Sequence, residues 1–417
     1  MQVAALTAVS AMVVAGCAPS QSSSDTSKDA GTVPDKIVIG STLPLTGAES
    51  KTGGRYKQGY ELAFDEINKA GGLEVNGKKV KVELKLLDDT SDQAKAVNLA
   101  QRLITSDKVN AFLGTYSTSL VEAQSTVAEQ NKIPYVNGGG AATSIYTKGY
   151  KWIFGTLAPV ENLATNEMEW IDEQQKAGKL PKPAKVAIVW ENTSHGKDFR
   201  KGIQEFAKKT GSYQVVVDES FALDGTDFSA VLNKVEAAKA DLFMVDAHLP
   251  DFITMHRQYL SSGMCNKIET YGARGTEADA KKALGQKGVD YILSAVWWNK
   301  QLGDKGLNKK FVDSFTGKYG KAPEWYQAVS YEAARSLFTA ITNAKSVDKT
   351  KVRDALSAID IDSILPGGKL SFPADKGGQA SYPFVVQQNL PDGSSPIVYP
   401  ADVANGRGTA PNPGCKG

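Results

Sequence analysis

The feature that most restricts this chain is a repeated alternation of short apolar runs with longer amphipathic ones. Lys36-Ile37-Val38-Ile39-Gly40 reads as a strand. Gly53 to Ala70 reads as a helix, with Tyr60, Ala63, Phe64 and Ile67 on one face and Gly71-Gly72 as its stop. Val80 to Leu87 puts Val80, Val82, Leu84 and Leu86 on one side of a strand that ends at Asp88-Asp89. Ser91 to Thr105 is a second amphipathic helix, with Ser91 as its cap. A strand over Ala111 to Gly114, a helix through Gln130 and a strand at Tyr135 follow. The economical solution to such an alternation is a doubly wound parallel sheet, so the predicted class is α/β.

The pattern then restarts. Helices are predicted over Ala158 to Gln174, Gly196 to Thr210, Thr226 to Ala238 and Pro250 to Ser262. Strands are predicted over Lys185 to Trp190, Tyr213 to Val217, Asp241 to Val245, Ile268 to Tyr271 and Tyr291 to Val296. Gly303 and Gly306 mark a break before helices over Asn308 to Tyr319, Pro323 to Ala344 and Lys349 to Ile359. Leu370 to Phe372, Tyr382 to Gln388 and Ile397 to Tyr399 read as a closing antiparallel meander, turned by Pro391-Asp392-Gly393. The two halves repeat an architecture and not a sequence.

The stretch from Asn110 to Gly140 points to function. Each of its apolar runs ends in small polar residues or glycines. Ser117 to Ser119 are placed to cap the next helix and leave its first N–H groups facing a ligand. Gly138 to Gly140 let a backbone come close. Two such strand ends side by side make a small-molecule cradle at the carboxyl edge of a sheet.

Known catalytic and nucleotide motifs are missing. There is no Gly-x-x-x-x-Gly-Lys-Ser/Thr loop, no Gly-x-Gly-x-x-Gly after a strand, and no Gly-x-Ser-x-Gly elbow. The histidines, His195, His248 and His256, are too far apart for a ligand pair on one helix, and with three cysteines they leave little room for zinc. His256 reads as a surface or packing residue. Asp88-Asp89 suits either a cation or acid–base site or the capping of a loop. A net charge of +2 with 23% charged residues implies neither nucleic acid nor an anionic membrane surface. No metal and no cofactor is expected.

Val3 to Ala15 is apolar and too short to span a bilayer. It leads into Val14-Ala15-Gly16-Cys17, which resembles a bacterial lipoprotein signal. That implies residues 1–17 as signal, with Cys17 lipidated, and residues 18–35, rich in Ser, Asp and Lys, as a disordered tether. Cys265 and Cys415 remain, and in an exported protein they are free either to pair or to stay apart.

From Lys36 to Tyr399 the chain resembles the extracellular solute-binding proteins of the branched-chain amino acid (Leu/Ile/Val) ABC uptake family. The marks are Gly40-Ser41-Thr42-Leu43-Pro44-Leu45-Thr46-Gly47, Gly59 to Asn68 followed by Gly71-Gly72, and Leu87-Asp88-Asp89-Thr90. Phe112-Leu113-Gly114, Asn131-Lys132-Ile133-Pro134-Tyr135 and Lys148-Gly149-Tyr150 add to them. The resemblance implies a type I periplasmic binding protein fold: two Rossmann-like lobes joined by three hinge crossings, here near Thr156, Val296 and Leu365. The first lobe would take 36–156 plus 297–365, and the second 157–296 plus 366–417. It also implies no enzyme, a small-molecule solute, an ABC permease as membrane partner, a monomer, and a lipid-anchored place outside the cytoplasm. The alternative is a ligand-sensing module for a membrane signalling partner.

Carried over position by position, the ligand contacts of the first lobe fall on Tyr116, Ser117, Thr118, Gly139 and Ala141, with Thr143 replacing Ala141 if the register slips. Thr118 takes the role of holding a ligand carboxylate. Contacts from the second lobe fall on His195 and His248, and a cleft aromatic on Tyr326 or its neighbour Trp325. The acidic residue that receives an amino acid's ammonium group in the family is replaced here by Arg274. An ammonium desolvated beside a guanidinium is unfavourable by several kcal/mol. The expected ligand is therefore a carboxylate without an α-amino group, or an amide-like or aromatic compound, unless Arg274 turns to solvent or pairs with Glu277.

Overall fold

The computed structural model of the chain describes residues 33–303 and 305–415. The expected signal of residues 1–17 with Cys17, and the expected tether up to residue 32, lie outside the described residues. The first lobe runs β1 (Lys36–Leu43), α1 (Ser50–Lys69), β2 (Leu73–Val75), β3 (Lys78–Asp88), α2 (Gln93–Thr105), β4 (Ala111–Leu113), α3 (Thr118–Gln130), β5 (Tyr135–Asn137), α4 (Thr143–Tyr146) and β6 (Ile153–Gly155). Its sheet has the order β2-β3-β1-β4-β5-β6 and is parallel from β3 to β6. β4 and β5 are buried along their whole length, as parallel strands covered on both faces must be.

The second lobe runs α5 (Val160–Lys176), β7 (Ala184–Glu191), α6 (Ser194–Thr210), β8 (Tyr213–Phe221), α7 (Ser229–Ala237), β9 (Leu242–Asp246), α8 (Leu249–Ser261), β10 (Ile268–Tyr271), α9 (Ala278–Leu284), α10 (Gln286–Val289) and β11 (Leu293–Val296). The chain then returns to the first lobe with α11 (Gly306–Tyr319), α12 (Trp325–Ala344), α13 (Lys349–Ser357) and the hairpin β12 (Asp360–Asp362) with β13 (Lys369–Ser371). β14 (Val385–Gln388) and β15 (Ile397–Tyr399) go back to the second sheet, whose order is β15-β14-β11-β10-β9-β7-β8. Both are antiparallel additions to an otherwise parallel sheet.

Local chemistry moved several predicted boundaries. α2 is capped by Asp92, whose carboxylate accepts the Lys95 N–H at 2.7 Å. Ser91 instead holds the loop after β1, accepting the Glu49 N–H and donating to Thr46 O. Ser117 is the residue before α3, but its hydroxyl makes no cap and lies 3.2 Å from the Ser119 hydroxyl. The hairpin β2–β3 turns on Asn76-Gly77, both with positive φ as a two-residue loop requires. Leu370 does not join the meander, because its strand pairs with Asp360–Asp362. The Asp88-Asp89 pair is structural. Asp88 accepts Leu45, Thr46 and Thr90 N–H groups, and Asp89 accepts the Thr42 and Thr115 hydroxyls. His256 packs inside the second lobe between Phe252, Tyr259 and Tyr271, with Nδ1 2.7 Å from Glu269.

Three passages link the lobes, and they are bonded to one another. Thr156, just after β6, accepts the Tyr382 hydroxyl on its carbonyl at 2.7 Å. Trp297, just after β11, donates its indole N–H to Ala158 O at 2.9 Å. In the third passage the Gly155 N–H donates to Gly378 O and the Ala380 N–H to Gly155 O. Residues 378–380 therefore still lie along the edge of β6, and the chain leaves this lobe beyond them, well after Leu365. A disulfide joins Cys265 to Cys415 with Cα atoms 5.3 Å apart, tying the chain's last described residue to the loop before β10.

α1 and α12 pack face to face, with Phe64 edge-on to Phe338 at 4.9 Å. Gly59 permits this approach, since a Cβ there would collide with the Ser330 hydroxyl. Gly59→Ala should lower the unfolding free energy by about 1–3 kcal/mol through overpacking. Urea denaturation measures this, and an unchanged midpoint would show that the two helices can move apart at no cost.

Candidate functional site

The carboxyl ends of the two sheets' strands meet across a cleft. From the first lobe come Glu49 in the loop after β1, Tyr116 to Thr118 after β4, and Gly139 to Ala141 after β5. From the second come Glu191 at the end of β7, His195 in the first turn of α6, Asp246 at the end of β9, His248 just before α8, and Arg274 after β10. Loops at strand ends carry these side chains because the strands themselves are committed to the core.

Arg274 sits at the centre. It is 2% exposed, and its Nη2 donates to the Tyr116 hydroxyl at 3.0 Å. Its guanidinium lies 5.2 Å from the Trp325 ring and 5.9 Å from the Tyr326 ring. Its Nε and Nη1 have no acceptor among the described residues. It neither turns to solvent nor bonds Glu277, whose carboxylate is taken by Arg55 at 2.8 Å and by the Tyr326 hydroxyl. Burial pushes the Glu277 carboxyl up to about 7, against the opposing pull of Arg55.

Tyr116 separates Arg274 from a second charged group. Its ring lies 5.3 Å from Tyr56, 5.9 Å from Tyr326 and 5.7 Å from the His248 imidazole. His248 stands between two carboxylates, with Nδ1 3.0 Å from Glu49 and Nε2 3.7 Å from Glu191. Burial alone would lower its pKa, but Glu191 and Glu49 together carry it up to about 9. Burial would raise the Glu49 carboxyl, but His248, Arg274 and Thr52 together hold it below its ordinary value. Glu49 Oε2 and Glu191 Oε2 are buried and without a donor among the described residues. His195 lies further along the same wall, with Nδ1 2.8 Å from Asp246.

The remaining predicted residues form the first-lobe wall. The Thr118 hydroxyl oxygen accepts the Ala141 N–H at 3.2 Å, which ties the two strand ends together. Ser117 is buried. Gly139 lies so close to Thr115 O that a Cβ would clash. Thr143 is not available as a substitute for Ala141, since its N–H donates to Asp198 and its hydroxyl to Glu161. The structure thus groups Tyr116, His248, Arg274 and Tyr326 directly, and His195 through Asp246 and Glu191.

Glu49, Glu191, Asp246 and Tyr56 escaped the sequence reading. Glu191 and Asp246 come immediately after predicted strands and close the observed ones, so the strand-end rule applied to the first lobe would have found them. Nothing in the sequence marks Glu49. Glu191, His195 and Asp246 each offer one ligand atom, all within 4.8 Å of one another, a spacing that suits a cation. The His195–Asp246 hydrogen bond is complete as it stands. An open cavity of about 900 Å³ lies beside the cleft, lined by Ser50, Arg55, Glu277, Lys300, Lys321 and Trp325 among others, and none of the nine predicted ligand residues borders it. Among the described residues no helix is long and apolar enough to cross a membrane.

A profile of the periplasmic binding protein family matches residues 36–394. The Leu/Ile/Val-binding protein homolog 8 of Brucella abortus is 27% identical over 375 residues, covering 88% of this chain and 91% of its own. Two solved structures share the fold. The leucine binding protein LivK of Thermotoga maritima has a TM-score of 0.76 at 22% identity, covering 87% of this chain and 97% of its own. A solute binding protein of an ABC transporter from R. palustris, in complex with benzoate, has 0.74 at 21%, covering 91% and 99%.

The His248 contacts predict a pH window for stability. A raised histidine pKa contributes stability that is fully present below about 6.5, its unfolded value, and is lost as pH rises through about 9. The lowered Glu49 contributes stability that is present above its unfolded value and lost as pH falls. The melting temperature should therefore decline between about pH 7 and pH 10. His248→Gln should flatten that alkaline decline, and a variant that keeps the full slope would place its origin elsewhere.

Proposed function

Because the chain belongs to the periplasmic binding protein family, whose members bind solutes and do not transform them, we propose that it is the receptor subunit of an ABC importer and that its ligand is a small carboxylate, amino acid, amide-like or aromatic solute held between the lobes. The observation that carries the ligand reading is Arg274. A buried guanidinium with two nitrogens, Nε and Nη1, lacking an acceptor among the described residues is costly, and an anionic or carbonyl oxygen in the cleft answers both the charge and the unmet donors. A carboxylate or amide oxygen at Arg274, with the ring or chain of the ligand against Tyr116 and Tyr326, suits this chemistry better than an ammonium group there. Thr118, Ser117, Gly139 and Ala141 close the site from the first lobe, and His195 and His248 from the second.

Closure is the signal in this reading. Glu49 with His248, Arg55 with Glu277, and Ser194 with Glu122 bridge the lobes in the closed arrangement. A ligand shifts the balance toward closure by the contacts it makes only there. The permease reads lobe spacing, and no bond is made or broken. We place the first lobe at residues 36–156 and 297–380, since the backbone bonds to Gly155 favour a boundary later than Leu365. The protein is an extracytoplasmic monomer, since one chain completes the cleft, and Cys17 carries its lipid anchor.

Titration calorimetry with benzoate, acetamide and leucine tests the ligand reading. Benzoate or acetamide should bind more tightly than leucine. Arg274→Ala should weaken that binding by about ten- to a hundredfold, the worth of one charge-assisted hydrogen bond. Leucine binding more tightly than both, unaffected by the substitution, would overturn it.

A further inference from the structure

We infer that Glu49 and Glu191 form a second recognition point in the cleft, one that reads a hydrogen-bond donor at the end of the ligand remote from Arg274. The inference rests on the ligand site at Arg274 proposed above and narrows its chemistry. Each carboxylate has one oxygen in use and one idle. Glu49 Oε1 contacts His248 Nδ1 at 3.0 Å, and Glu191 Oε1 accepts the Thr193 hydroxyl at 2.8 Å while facing His248 Nε2 at 3.7 Å. Glu49 Oε2 and Glu191 Oε2 meet no donor among the described residues, although Glu191 is 1% and Glu49 9% exposed. A buried carboxylate oxygen is stable only when something donates to it.

The two carboxylates belong to different lobes and face the two nitrogens of one imidazole, so both idle oxygens come beside His248 only when the cleft is shut. Glu49 sits at the N-cap position of α1 and makes no cap with its side chain, which leaves its second oxygen uncommitted to the helix. Charge favours a donor at this end. Arg274 and the His248 held between Glu49 and Glu191 face these two carboxylates, with Asp246 a further acid in the cleft, so a second anionic group is disfavoured here and an O–H or N–H donor fits.

Tyr116 lies between the two points. Its hydroxyl receives Arg274, and its ring stands 5.7 Å from the His248 ring. A carboxylate or amide with an O–H or N–H donor at its far end meets both when it lies along that ring.

Calorimetry on matched probes tests this: benzoate against 3- and 4-aminobenzoate and 4-hydroxybenzoate, and acetamide against urea. At least one donor-bearing member should bind about tenfold or more tightly than its donor-free partner, because a site built around polar groups discriminates against analogues that leave them unpaired. Glu49→Gln and Glu191→Gln, nearly isosteric and checked for unchanged melting, should shrink that preference to within about threefold while sparing the donor-free probe. Arg274→Ala should weaken both members of the pair. Equal affinities within every pair, or a preference that survives both glutamine variants, would overturn the donor site and leave the Arg274 reading intact. Binding of no probe at all would overturn both.

Discussion

Arg274 is a positive charge removed from water, with aromatic rings beside it and, among the described residues, a single phenol hydroxyl as its acceptor. A charge in that position is tolerated only if the surroundings answer it. Here the answer comes from a distance: Glu49, Glu191 and Asp246 lie in the same cleft, and two of them share the His248 imidazole. Remove the guanidinium and the carboxylates lose a buried counter-charge. Remove Glu49 or Glu191 and the His248 imidazole loses one of its two partners. The polar lining of this cleft is thus one linked set, and its members cannot be valued singly.

The scaffold makes such a set possible by keeping the charges off the strands. β4, β5, β9 and β10 are buried from end to end, and hydrophobic faces on both sides hold their directions. The loops leaving them carry the chemistry, and each side chain needs only a short reach to meet the others. A fold shared with proteins at about one-fifth identity can therefore host a different lining, and likeness of fold says little about cargo.

How much of this could be read in the sequence follows from the same division. The parallel strands and their helices were legible because burial on both faces forces apolar runs, and the 3.6-residue period marks the helix stripes. Arg274 was legible as a departure from a resembling family, and Tyr116, His248 and Tyr326 as positions carried over from its contacts. What could not be read was pairing at long range. Whether Arg274 meets Glu277 or Tyr116 depends on which other groups compete for them, and Arg55, more than two hundred residues earlier, takes Glu277. Glu49 was invisible because a single acid in a surface-looking loop has no period. Ser91 and Ser117 looked like caps, but tertiary partners drew Ser91 away and the Ser117 hydroxyl faces Ser119 instead. The strand at Leu370 looked like part of a meander because strand patterns do not name their partners.

The bonds among the three connecting passages bear on how the cleft opens. Tyr382 is fastened to Thr156, Trp297 to Ala158, and Gly155 to both Gly378 and Ala380. In the proposed closure, segments fastened in this way bend together as one leaf, which favours a single swing over twist or shear. Each shutting therefore brings the same residues back into register, and a cargo molecule is spared the work of aligning the jaws that hold it.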